Sequence, residues 1–77
     1  MNTISHFLDA TGLLCPLPVL KLRKYLKSMH IGEVIEILAD DPAAVIDIPH
    51  YCSETKQELI SATNENNTQI YLIRKIR

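Results

Sequence analysis

Tryptophan is absent from this 77-residue chain, phenylalanine occurs once and tyrosine three times. With so few flat side chains and a net charge of −1, the chain lacks both the stacking platforms and the electropositive footprint by which a protein holds nucleic acid unaided. Direct nucleic-acid binding is therefore not expected. Cysteine is nearly as scarce. Cys15 and Cys52 stand 37 positions apart with no CxxC pair, so they make neither a disulfide framework nor a four-ligand zinc site. No metal and no cofactor is expected, and the cysteine usage suits a reducing compartment.

Long apolar runs are missing too. The longest stretch without strongly polar residues is Leu13 to Leu20, which two prolines interrupt, far short of the roughly 20 apolar residues that span a bilayer. No Lys or Arg precedes an apolar core in Met1 to His6, so the N-terminus does not read as a signal peptide and the expected location is cytoplasmic. Only two glycines and four prolines occur among 47% apolar and 22% charged residues, the usage of a folded globular chain. Residues 1–77 are read as one domain. A chain of this size buries only roughly 60% of its unfolded surface, so it has little material with which to enclose a substrate.

The small net charge hides a segregation. Residues 16 to 31 hold Lys21, Arg23, Lys24 and Lys27 and no acid, whereas residues 33 to 54 hold six acids and no base. A basic segment followed by an acidic one bears on how partners dock.

Ile4 to Ala10, ended by Thr11-Gly12, reads as a first strand. From Pro16 onward Val19, Leu22, Leu26 and Met29 recur at helical spacing, giving an amphipathic helix with Gly32 placed for its left-handed C-terminal residue. Glu33 to Ala39 is short and β-branched, hence a strand. Asp40-Asp41-Pro42 supplies a cap acid and a first-turn proline for a second helix. Val45, Ile48 and Cys52 share one side of that helix, and Pro49 is expected to kink it or split it in two. Glu58 to Thr63 and Thr68 to Lys75 flank Asn64-Glu65-Asn66-Asn67, which reads as a hairpin. The order βαβαββ predicts an α/β (α+β) two-layer sandwich, a four-stranded mixed sheet with both helices on one face. Val34, Leu38, Tyr71 and Ile73 are expected on the open face as an apolar patch.

Cys15 immediately precedes the first helix, with Pro16 and Pro18 in its first turn. A free thiol near pKa 8.5 is only about 3% ionised at pH 7. A helix N-terminus, worth about 0.3–1 kcal/mol at a surface, is expected to raise that fraction modestly. This suits a sulfur that exchanges with another sulfur. Cys52, on the apolar stripe, is expected to pack. His6, His30 and His50 have no spacing that brings them to Cys15 and are expected at the surface.

Leu8-Asp9-Ala10-Thr11-Gly12-Leu13-Leu14-Cys15-Pro16-Leu17-Pro18 resembles L-D-x-x-G-L-x-C-P-x-P, the signature of the TusA/SirA-like sulfur carrier family. The resemblance runs on through Ala39-Asp40-Asp41-Pro42-Ala43-Ala44, Asp47-Ile48-Pro49-His50-Tyr51-Cys52 and Tyr71 to Lys75, so it spans nearly the whole chain. Leu17 departs from the acidic residue that TusA-type chains have between the prolines.

The resemblance implies a βαβαββ sandwich and a carrier function. Cys15 would take sulfane sulfur from a cysteine desulfurase as a persulfide and pass it to a downstream sulfur-relay acceptor protein. In TusA-type members that relay serves the 2-thiouridine of tRNA wobble positions. Asp9, Gly12, Pro16 and Pro18 match the motif and would shape the cysteine loop. Lys21, Arg23, Lys24 and Lys27 are the candidates for docking an acidic partner surface. A thiol redox switch pairing Cys15 with Cys52, and a carrier in another sulfur or selenium pathway, stand as the alternatives.

Overall fold

The computed structural model describes residues 3–77. Its elements run β1 (Ile4–Asp9), α1 (Leu17–Ser28), β2 (Val34–Ala39), α2 (Ala44–Thr55), β3 (Glu58–Glu65) and β4 (Thr68–Arg74), in the order the sequence predicts. The sheet is ordered β1-β2-β4-β3. β1 pairs parallel with β2, and β4 lies antiparallel to both β2 and β3. Each helix thus bridges parallel strands, and β4 is inserted between the two strands that α2 connects.

One core holds the layers together. Leu22, Leu26 and Met29 of the α1 side meet Ile35, Ile37 and Ala39 of β2, Ala44, Ile48 and Cys52 of α2, and Tyr71 and Ile73 of β4. Val19, Leu8 and Leu59 pack at its margin. The α1 stripe is the one its 3.6-residue spacing predicts. The α2 stripe is not. Val45 is 53% exposed, and the buried residues are Ala44, Ile48 and Cys52, spaced i, i+4, i+8. Nor does Pro49 split the helix, which runs unbroken from Ala44 to Thr55. The carbonyl four residues back, which loses its N–H partner to Pro49, belongs to the exposed residue Val45.

The apolar patch is also redistributed. Tyr71 pairs with Ile37 and Ile73 with Ile35. Paired residues share a face, so Tyr71 and Ile73 point to the helices. Val34 and Leu38 lie on the other face, beside Ile70 and Leu72.

Chain reversals explain the remaining differences. α1 ends at Ser28, with Met29 as its cap, and the Lys75 ammonium donates to the carbonyls of Leu26 and Met29 at 2.7 and 2.8 Å. A cation there suits the negative end of the helix. Gly32 lies beyond this cap, at φ 97°, and its N–H donates to the Lys75 carbonyl at 2.7 Å, so it turns the chain into β2 instead of ending α1. In the hairpin only Asn66 and Asn67 turn, both at positive φ. A two-residue turn of that hand matches strand twist, so Asn64 and Glu65 are free to extend β3. Half-buried His6 is not a free surface residue: its Nε2 is hydrogen-bonded to the Glu33 carboxylate at 2.9 Å, and its Nδ1 to the Tyr25 hydroxyl at 3.3 Å.

Candidate functional site: the Cys15 loop and groove

The loop from Thr11 to Pro16 leaves β1 and enters α1 under three carboxylates. Asp9 Oδ1 accepts from the Thr11 N–H at 3.0 Å and the Thr11 hydroxyl at 2.6 Å, closing a local turn. These bonds favour the charged carboxylate and lower its pKa. Gly12 follows at φ 79°. No atom crowds the place of its missing Cβ, so glycine is required there by backbone conformation alone. The Gly12 N–H donates to Asp40 at 2.9 Å, and the Cys15 N–H donates to Asp41 at 2.8 Å.

Asp40 and Asp41 therefore do not cap their own helix. α2 begins one turn later, with Ala43 as its cap residue and no side-chain cap bond. Both carboxylates are turned toward the cysteine loop. The backbone of Asp41 is held in turn: its carbonyl accepts from the Gln69 amide at 2.8 Å, and the Tyr71 hydroxyl donates to the Gln69 side-chain oxygen at 2.6 Å. Gln69 and Tyr71 are both buried. A core network thus fixes the corner that holds the Cys15 amide, tying sheet packing to the placement of one sulfur.

Pro16 is the cap residue of α1 and Pro18 its second helical residue, with the Cys15–Pro16 peptide cis. Pro18 has no N–H, and that of Leu17 donates to the Leu14 carbonyl at 2.9 Å. Few amides of the first turn are left to face the sulfur. Cys15 itself is exposed, whereas Cys52 is buried. The Cys15 side chain opens onto a groove of about 300 Å³ between the helices, with Val19 on the α1 side and Asp47, His50, Tyr51 and Glu54 on the α2 side.

These four α2 residues recur at i, i+3, i+4 and i+7, a polar stripe beside the buried one. That spacing is present in the sequence, but the pairing of α2 with the cysteine loop is a tertiary fact. His50, expected at the surface away from Cys15, lines this groove.

Electrostatics at Cys15 run opposite to the expectation from the helix end. The Asp47 carboxylate beside the thiol, partial desolvation and the charge of Asp41 all raise its pKa above the ordinary thiol value. An anionic sulfur would face two carboxylates. The dipole of a proline-depleted first turn is the weaker influence. Cys52 is pushed up to about 11 by burial, so it stays a neutral packing residue. For the two sulfurs to pair, Cys52 would have to leave the core.

The four bases of α1 are all exposed, but they divide. Lys21 and Lys24 border an open groove of about 330 Å³ with Leu8 and Tyr25. Arg23 and Lys27 border another of about 190 Å³ with Lys75 and Arg77. Tyr51 lines both this second groove and that of Cys15, so of the four α1 bases Arg23 and Lys27 are those whose groove shares a wall residue with the sulfur's. Among the described residues no group of three or more His, Cys, Asp or Glu is arranged to hold a metal ion, and no helix is long and apolar enough to cross a membrane.

The family described as Sulfurtransferase TusA matches residues 6–75. The chain belongs to the TusA sulfurtransferase family. The match takes in the cysteine loop, both helices and all but the first residues of β1, so the family assignment and the geometry concern the same site. Among solved structures, a SirA-like protein from Desulfitobacterium hafniense is similar with a TM-score of 0.81 at 20% identity, covering 95% of this chain and 100% of that one. At that identity the likeness establishes the fold, which this TusA-family chain shares across nearly its whole length.

Proposed function

We propose that this chain is a sulfur carrier whose Cys15 accepts sulfane sulfur as a persulfide from a cysteine desulfurase and hands it to a downstream acceptor protein. The observation that carries the reading is the placement of the only exposed thiol at the mouth of an interhelical groove, within a match to a sulfurtransferase family.

The step balances without an added oxidant or reductant. The Cys15 sulfur attacks the outer sulfur of the donor's persulfide, a new S–S bond forms, and the donor's S–S bond breaks. The donor departs as a thiolate that takes up the proton released from Cys15. Passing the sulfur on repeats the exchange with the roles reversed. The groove is open and shallow, so the partner must supply the walls that exclude water. That division of labour suits a chain too small to enclose a substrate.

Asp9, Gly12, Pro16 and Pro18 shape the loop in this reading, and Arg23 and Lys27, with Lys21 and Lys24 on the neighbouring face, attract an acidic partner surface. The tRNA wobble-thiolation relay is the pathway that the family resemblance favours, with the protein working in the cytoplasm. The test is intact-mass spectrometry after incubation with a cysteine desulfurase and cysteine. One added sulfur atom on Cys15, lost in Cys15→Ser, supports the reading, and its absence refutes it.

A further inference from the structure

The basic residues of α1 suggest an acidic partner, but the immediate surroundings of the sulfur have the opposite sign. Asp41 lies against the Cys15 amide at 2.8 Å. Asp47 and Glu54 line the α2 wall of the groove together with His50 and Tyr51. The α1 wall contributes Pro16 and Val19, neither of which carries charge. Arg23 of α1 bears on Tyr51 and lines the neighbouring groove. Among the described residues, no Lys or Arg lines the sulfur's own groove.

We propose that Asp47, supported by Asp41, is a specificity residue that makes the Cys15 sulfur exchange preferentially with partners carrying positive charge beside their own reacting sulfur. The Asp47 carboxylate and the Cys15 side chain line the same groove, so whatever approaches the sulfur also meets that carboxylate. A cation brought in by the partner neutralises the carboxylate at the moment the sulfur must become anionic. A partner with an anion in that place meets two like charges at the open groove, a repulsion that salt screens. The carrier therefore rests as a neutral thiol between encounters and ionises on docking. Docking then involves two signs: bases along Arg23 and Lys27, and acids at the sulfur. The inference refines the carrier reading in naming its exchange partners, while its physical content concerns the thiol alone.

Small disulfides test it without any sulfane sulfur. In each exchange the Cys15 thiolate attacks one sulfur of the probe, forms a mixed disulfide, and expels the other half as a thiolate. Rate constants are measured by mass spectrometry for cystamine, a dication, and dithiodiglycolate, a dianion, at low and high salt. The comparison is the cystamine/dithiodiglycolate ratio in the native chain against that in Asp47→Asn, which cancels the probes' intrinsic reactivities. The expected result is a ratio about fivefold smaller in Asp47→Asn, restored in Asp47→Glu, and a native-chain ratio that falls as salt is raised.

The pH dependence of alkylation by iodoacetamide is a second readout. Its midpoint falls in Asp47→Asn, whereas a merely structural role for Asp47 would leave it unmoved. Equal ratios in the two proteins, or a native ratio indifferent to salt, overturn the proposal. If Asp47→Asn does not fold, the native salt titration and Asp41→Asn decide the matter on the same criterion. Persulfide loading by a desulfurase is unaffected by the outcome, so failure of this inference and failure of the carrier reading are distinguishable.

Discussion

Cys15 and Cys52 are the same residue type in opposite environments, and their reactivities should separate accordingly. Cys15 is exposed, and the carboxylates of Asp47 and Asp41 beside it raise its pKa above that of an ordinary thiol. The thiolate is the reactive form, so its alkylation rate should rise with pH through a midpoint higher than that of a free cysteine. A midpoint at or below the free value would contradict the assignment. Cys52, buried and pushed to about 11, should stay unmodified in the native chain at pH 8 and become reactive only on unfolding in urea. Because its folded pKa exceeds its unfolded one, Cys52 contributes stability below the unfolded value that is lost as pH rises from about 9 toward 11. Cys52→Ala should flatten that part of the stability profile. At Gly12 the strain is purely conformational: φ is 79° with open space where a Cβ would go. Gly12→Ala should lower unfolding free energy by about 1–2 kcal/mol in urea titrations.

At the scale of elements, α2 decides how much of the site could be read in advance. Its existence and approximate start follow from Asp40-Asp41-Pro42 and the apolar spacing, but its rotation about its axis does not. Val45, Ile48 and Cys52 satisfy helical periodicity nearly as well as Ala44, Ile48 and Cys52. The choice is made by what the sheet offers as a counterface, which one sequence does not contain. A substitution pair tests the rotation. Ile48→Ala should destabilise by about 2–5 kcal/mol, whereas Val45→Ala, at a position 53% exposed, should stay within about 0.5 kcal/mol. The reverse order in denaturant midpoints would mean the helix is turned the other way.

The same rotation brings Asp47 and His50 to Cys15. Local chemistry made Cys15, Gly12 and the loop prolines legible, while the groove that faces them needed tertiary structure. Asp40 and Asp41 illustrate the point. A cap acid and a loop clamp look alike in sequence, and the clamp forms because the Gly12 and Cys15 amides sit within 2.9 Å of those carboxylates. The order of elements along the chain and the hairpin were readable because β-branched runs and Asn-rich turns act locally. The facing of Tyr71 and Ile73 depended on register against β2, which is set by pairing.

Across the whole molecule, the near-zero net charge resolves into an arrangement with function. Bases lie along the outer faces of α1, acids gather where the Cys15 loop meets α2, and the sulfur stands where the two regions adjoin. Docking through exposed bases is salt-sensitive. Charge reversal at Arg23 and Lys27, whose groove shares Tyr51 with that of Cys15, should slow persulfide loading at low salt more than reversal at Lys21 and Lys24, with the difference shrinking at high salt. Equal effects from both pairs would place the partner across the end of α1 instead of along the interhelical cleft. A chain of this size holds one core and exposes one thiol at an open groove, so in the carrier reading its activity is completed by the protein that covers that groove. The central claim is that sulfur resides on Cys15 in transit. Its most direct measurement is the intact mass of the chain after incubation with a cysteine desulfurase and cysteine, with the adduct mapped by peptide fragmentation. The account predicts one added sulfur on Cys15 that is removed by a thiol reductant and absent in Cys15→Ser. An unmodified chain, or an adduct that persists in Cys15→Ser, would contradict it.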